Sequence, residues 1–172
     1  MSEYEHIDVV DEQDNIVGTI DRTPEWNKTR PTIFRLVNIL VQNDKGEFLL
    51  QQRHHTKNQS PLRFDTAVGG LVTSGLSYKE AAQKEMREEF GVEAPLTEIT
   101  KFTYKYPETK QVRGHHMVYI AHHNGPFSNW EAEAERLEWM AMDEIKHMTS
   151  RFPYLFTPGF MRAFEEYLKY TK

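Results

Sequence analysis

Three glutamates, Glu85, Glu88 and Glu89, stand at spacing i, i+3, i+4 within residues 78–90. On a helix that spacing places all three carboxylates on neighbouring sites of one surface. Like charges this close repel unless a doubly charged cation sits among them, and hard oxygen donors select Mg2+, Mn2+ or Ca2+. E-x-x-E-E is also a common solvated helix face, so the surroundings must decide. At about 100° per residue, Tyr78, Ala81, Ala82, Met86 and Phe90 form one broad apolar arc. Glu85 and Glu89 fall inside that arc and Glu88 at its edge, whereas Glu80, Gln83, Lys84 and Arg87 fall opposite or at the flanks. A carboxylate on a buried face is costly and is retained with a counter-charge or a metal. Just upstream, the pair Gly69-Gly70 lets backbone approach a ligand closely.

Such a site needs a strand to present the glycines and a helix to present the acids. Apolar runs at 7–10 and 16–20 flank Asp11-Glu12-Gln13-Asp14-Asn15 and read as a hairpin or a pair of edge strands. Residues 22–31, with two prolines and Trp26, read as a connector with room for one helical turn. Strands are expected at 33–41 and 47–53 around the turn Asn43-Asp44-Lys45-Gly46, then a polar loop at 54–61. A third strand at 63–68 runs into Gly69-Gly70 as a turn. Ser77 and Glu80 match a capping box, and Gly91 sits where a left-handed C-terminal residue belongs, so the acidic helix is bounded at both ends. Strands at 99–106, 112–122 and 137–142 follow. Helices are expected at 143–148 and, after a Pro158-Gly159 breaker, at 160–170. Strands with helices interspersed predict an α/β fold, a mixed sheet with helices on both faces.

The 172 residues fit one domain, 1–172, better than two. Twenty-six acidic against twenty-one basic residues leave a net charge of −5, without the basic face of a nucleic-acid binder. The absence of cysteine excludes disulfides, thiolate metal sites and cysteine nucleophiles, and leans towards a reducing compartment. The acidic N-terminal stretch resembles neither a signal nor a transit peptide, and no apolar run approaches the roughly 20 residues that span a bilayer. The expectation is a cytoplasmic protein with no nucleic-acid and no membrane partner.

Residues 70–92, GLVTSGLSYKEAAQKEMREEFGV, resemble the Nudix box of the Nudix hydrolases, G-x5-E-x7-R-E-U-x-E-E-x-G-U with U a bulky apolar residue. Gly70, Glu85, Met86, Glu88, Glu89, Gly91 and Val92 match; Leu76 replaces the first glutamate and Lys84 the arginine. In the family these two residues chiefly form a structural ion pair. Here the acid is lost and a weaker base kept, a joint loss that strands no buried charge. Leu76→Glu is accordingly expected to restore a small contact with Lys84. The segments VDEQDNIVGTIDR, FLLQQR, FDTAVGG and GPFSNWEAEAERLEWMAMDEI resemble Nudix proteins related to isopentenyl-diphosphate isomerase.

The resemblance implies an α/β/α sandwich around a mixed sheet, with a strand pair at about 6–21 and a C-terminal helix at about 158–170. It implies Mg2+-dependent hydrolysis, with Mn2+ able to substitute, of a diphosphate linkage in a nucleoside diphosphate derivative or similar small molecule. Metal ligands would be Glu85, Glu88, Glu89 and the Gly70 carbonyl. Glu88, Glu89 and Glu133 would serve catalysis, with Glu88 and Glu133 the candidate bases. Glu131-x-Glu133 is similar to a functional E-x-E pair of isomerase relatives, against a plain acidic loop of Glu131, Glu133 and Glu135. Arg53 and Gly69 would contact substrate, the arginine through its forked donors. Relatives are frequently dimers, so a homodimer stays open. Trp26, Tyr104, Tyr106 and Trp130 offer stacking surfaces, although aromatic residues are more often core.

Two other readings stand beside the hydrolase. An isomerase uses a cysteine where this chain has Asp65-Thr66-Ala67-Val68, and histidine ligands unmatched at residues 29–31, so ordinary isomerase activity is rejected. A degenerate domain that binds a nucleotide or partner without catalysis is motivated by Leu76 and Lys84. The adjacent pairs His54-His55, His115-His116 and His122-His123 are not expected to chelate, because neighbours on a strand point to opposite faces.

Overall fold

The polar run at 11–15 turns the chain. β1 (His6–Val10) and β2 (Ile16–Asp21) pair antiparallel as a two-stranded sheet of their own. The computed structural model describes residues 4–29, 32–106 and 108–172. In the expected connector α1 (Pro24–Thr29) forms a short helix, while Arg30 and Pro31 lie outside the described residues.

Among the described residues the second sheet has seven strands: β3 (Phe34–Gln42), β4 (Phe48–Arg53), β5 (Phe64–Thr66), β6 (Val68–Leu71), β7 (Leu96–Lys105), β8 (Val112–His122) and β9 (Ala134–Met140). β3 and β8 run parallel and every other pairing is antiparallel, so the sheet is mixed. β3 and β4 pair only beside their turn, at Val41 opposite Leu49 and Gln42 opposite Phe48. Beyond it they separate, β6 taking the edge of β3 and β5 the edge of β4. This splay makes the floor of the site.

Alternating strand residues face opposite ways, and each face finds a helix. Val37, Ile39 and Val41 of β3 pack with Ala81, Ala82, Met86 and Phe90 of α2 (Tyr78–Phe90). On the other face Leu40, Phe48 and Leu50 pack with Ile145 of α3 (Met142–Arg151) and with Phe160 and Phe164 of α4 (Pro158–Tyr170). Burying each of these large side chains stabilises the fold by roughly 1.5–3 kcal/mol. The result is the expected α/β/α sandwich. Among the described residues no helix is long and apolar enough to cross a membrane.

Several boundaries differ from expectation. The strand expected at 63–68 is two strands separated by a bend at Ala67, where the chain changes partner from β4 to β3. Gly69 and Gly70 therefore lie within β6, opposite Asn38 and Val37, not in a turn after a strand. Glycine in a strand interior marks a close approach, which comes from Glu85 of α2 at Gly70 and from the Val37 carbonyl of β3 at Gly69. The last strand runs from Ala134 to Met140, not 137–142, because β4 pairs along its whole length. Pro158 and Gly159 open α4 rather than precede it: proline loses nothing in a first helical turn, and the Thr157 hydroxyl accepts from the Phe160 amide at 3.0 Å.

The hairpin is tied across the segment joining β6 to α2. The Ser74 amide donates to the His6 carbonyl at 2.8 Å, and Ile7 bridges Thr73. Asp14, in the hairpin turn with 7% of its side chain exposed, pairs with Arg35 at 2.6 Å and Lys101 at 2.9 Å. The Tyr78 hydroxyl donates to the same carboxylate at 3.0 Å.

Candidate metal centre

The capping box forms as predicted. The Glu80 carboxylate accepts from the Ser77 amide at 2.8 Å, and Gly91 ends α2 in the left-handed conformation, φ 65°. With its ends fixed and Ala81 and Ala82 against the sheet, the helix turns Glu85 and Glu89 towards β6. Glu85 keeps 13% of its side chain exposed and Glu88 keeps 58%. The expected order, two inward acids and one at the edge, is what the structure places there.

Gly70 is the residue that makes room. A Cβ built on it would stand 2.5 and 2.6 Å from the two Glu85 carboxylate oxygens. The Gly69 backbone hydrogen-bonds the Glu89 carboxyl, yet Glu89 Oε2 is buried with no partner among the described residues. An unsatisfied buried carboxylate oxygen is expensive. Burial, the foremost cause, pushes the Glu85 carboxyl up to about 7. Burial likewise pushes Glu89 well above the usual carboxylate range, reinforced by the nearby charges of Glu85 and Glu133 and opposed by Lys57. Two acids that resist ionisation in a bare protein ionise readily around a divalent cation. The donor set is all oxygen, which suits a hard ion.

These residues open onto a cleft of about 900 Å3. Arg53, Lys57, Glu88 and Glu133 line it, together with Gly69 and Gly70. Arg53 is no loose surface arginine: it pairs with Asp65 at 3.3 Å and donates from Nε to the Gln59 carbonyl at 3.0 Å. Asp65 itself accepts from the Thr157 hydroxyl at 2.8 Å and the Thr66 amide at 2.9 Å. Burial pushes its carboxyl up, with Arg53 opposing. Glu133 ends a short 3-10 turn (Trp130–Ala132) and forms an ion pair with Lys57, so it is part of the cleft wall and not of a loose acidic loop. Glu131 is exposed. Tyr104 and Tyr106 also line the cleft, whereas Trp26 is core, stacked edge-on to Phe34 with ring centroids 5.4 Å apart.

Lys84 overturns one expectation. It has not lost its acid: Glu5 approaches it at 3.3 Å and Glu88 at 3.0 Å. Glu5 also pairs with Arg22 at 3.0 Å and accepts from the Thr73 hydroxyl. The N-terminal segment thus supplies the carboxylate that Leu76 lacks, while Leu76 packs against the α2 core cluster. Spacing in the sequence could not reveal this, because the two partners stand 79 positions apart. Lys57 was missed for the same reason, lying in an apparently featureless polar loop.

The histidines divide. His115 and His116 behave as strand neighbours, His115 Nδ1 meeting Thr103 Oγ1 at 3.1 Å and His116 Nδ1 meeting Asn38 at 3.0 Å. His54 and His55 do not, because β4 ends at Arg53 and strand alternation ends with it. Their rings lie side by side, centroids 4.2 Å apart, beside Glu135.

Residues 33–159 match the family model of the NUDIX domain. An uncharacterised Nudix hydrolase of Yersinia pestis is 30% identical over 165 residues, covering 95% of this chain and 86% of that protein. An isopentenyl-diphosphate Delta-isomerase of Serratia proteamaculans is 26% identical over 160 residues, covering 92% and 88%. Among solved structures, DR0079 from Deinococcus radiodurans superposes with a TM-score of 0.71 at 28% identity, covering 86% of this chain and 90% of that one.

Proposed function

The chain belongs to the Nudix family, whose hydrolases act on pyrophosphate-type linkages with divalent metals, and from that premise we propose a Mg2+-dependent hydrolase that splits the diphosphate linkage of a nucleoside diphosphate derivative or similar small molecule. The observation that carries this reading is the orphaned Glu89 oxygen beside Glu85, in a pocket that only a glycine at position 70 leaves open. Glu85 and Glu89 would hold Mg2+ or Mn2+, with Glu88 and the Gly70 carbonyl completing the set. When bound, the cation supplies charge neutralisation for diphosphate oxygens and a lower pKa for water.

The remaining work falls to the chain. Arg53, fixed by Asp65, presents forked donors to phosphate oxygens, and Lys57 adds a second positive charge on the same wall. The water oxygen forms a bond to phosphorus, the bridging P–O bond breaks, and the water proton passes to a carboxylate. Glu133 is the first candidate for that acceptor: it stands close enough to Glu89 to raise its pKa, and Lys57 keeps it oriented. Glu88, more exposed and paired with Lys84, is the second. Gly69 lines the same cleft and offers backbone to the substrate.

The binder reading is motivated by Leu76 and Lys84, and the carboxylate of Glu5 beside Lys84 supports the hydrolase over it. The isomerase reading, despite the Serratia relative, meets a chain with no cysteine. The test is a panel of diphosphate substrates with Mg2+, measuring phosphate released after phosphatase treatment. Release that stops with chelator and with Glu89→Gln is expected. Nucleotide binding without release across the panel would favour the binder.

A further inference from the structure

We propose that His54, His55 and Glu135 form a second metal site, for a Zn2+-class transition ion, outside the glutamate cluster. The three residues come from two segments, the loop after β4 and the start of β9, and backbone pairing holds those segments together. The His54 amide donates to the Glu133 carbonyl at 2.9 Å, and Arg53 stands opposite Ala134 in the β4–β9 ladder. The His55 amide donates to Glu135 Oε1 at 2.8 Å, which aims the carboxylate at both rings.

One donor atom from each residue lies within 4.8 Å of the others. A tetrahedral ion with bonds of about 2.0–2.2 Å sets its donors roughly 3.4 Å apart. His54 Nε2 stands 3.8 Å from Glu135 Oε1, close to that edge length. His55 Nδ1 stands 2.5 Å from the same oxygen, a hydrogen bond that must open by about 1 Å when a cation replaces the shared proton. His54 Nδ1 meets Thr56, the hydroxyl at 2.8 Å and the donating amide at 3.3 Å, which holds the ring with Nε2 towards Glu135.

An ordinary surface ion pair needs one histidine; here two imidazoles crowd one carboxylate. The donors differ in kind from the glutamate set. Imidazole with carboxylate favours Zn2+, Co2+, Ni2+ or Cu2+, whereas Mg2+ prefers oxygen alone. With 63% of the His55 side chain exposed, a fourth position is open to water. Occupancy would cross-link the loop carrying Lys57 to the segment carrying Glu133, two residues that line the substrate cleft.

The test is a Co2+ titration in millimolar Mg2+, followed by visible absorption and then by Zn2+ displacement. It uses the full chain and the variants Glu85→Gln/Glu89→Gln, His55→Ala and Glu135→Gln, with circular dichroism reporting the fold. The expected result is one equivalent of Co2+ in the full chain and in the double glutamine variant. Binding should weaken at least roughly tenfold in the other two. No uptake by the full chain in Mg2+, or uptake unchanged in His55→Ala, overturns the proposal. So does uptake lost in the double glutamine variant and kept in His55→Ala.

Discussion

Stripped of divalent cations, the protein is predicted to lose stability as pH rises from about 5 to about 8, and Glu85 is predicted to carry much of that loss. Its carboxyl moves from an ordinary 4.5 to about 7 on folding. A folded-state pKa above the unfolded value means the native chain holds a proton that the unfolded chain releases. The contribution is therefore complete below about pH 4.5 and is lost as pH climbs through about 7. At about 1.4 kcal/mol per pH unit between those limits, roughly 3 kcal/mol is at stake. For a chain of this length that corresponds to about 6–12 °C in Tm. Scanning calorimetry in chelator at several pH values, on the wild type and on Glu85→Gln, reads the effect together with its coupling to Glu89, because groups remote from the site cancel in the difference. Glu85→Gln should show a visibly flatter decline. Identical slopes, or a wild type that gains on the variant as pH rises, would refute the reasoning. Saturating Mg2+ should raise Tm more at pH 8 than at pH 5, since the cation then meets carboxylates already ionised.

Gly70→Ala places a methyl against the Glu85 carboxyl, the free end of a flexible side chain that can swing aside. Thermal stability should change by less than about 1 kcal/mol while Mg2+ affinity, measured by calorimetric titration, falls at least about tenfold. Glu89→Gln should lower Mg2+-dependent turnover about 100-fold or more and make the stability of the cation-free protein fall less as pH rises, because it removes a buried carboxyl that resists ionisation and keeps the shape. Leu76→Glu should cost about 1–2 kcal/mol in denaturant titration, since Leu76 packs on the core and Lys84 already has Glu5. If Glu133 accepts the water proton, Glu133→Gln should cut kcat at least about 100-fold with a small change in KM, and Glu88→Gln should not match it.

Local rules made α2 readable. Ser77, Glu80 and Gly91 fix its ends, and the positions of Met86 and Phe90 show that Glu85 and Glu89 point inward. The sheet was readable in outline because β-branched runs such as the one in β3 are buried on both faces. What was hidden depends on contacts between distant residues. Nothing near Glu5 signals that it will meet Lys84, nor near Lys57 that it will meet Glu133 across 76 positions. Ala67 looks like any residue of an apolar strand; only the splay of β3 from β4 makes it a change of partner. The alternation rule does not place the rings of His54 and His55, because both residues lie past Arg53, the end of β4.

The central claim is that Glu85 and Glu89 face each other across a divalent cation beside Gly70. Diffraction from crystals grown in Mn2+, with anomalous differences measured at the manganese edge, tests it most directly. The account predicts a strong peak bonded at about 2.0–2.4 Å to oxygens of both carboxylates. Both side chains turned into solvent, with no peak between them, would contradict it.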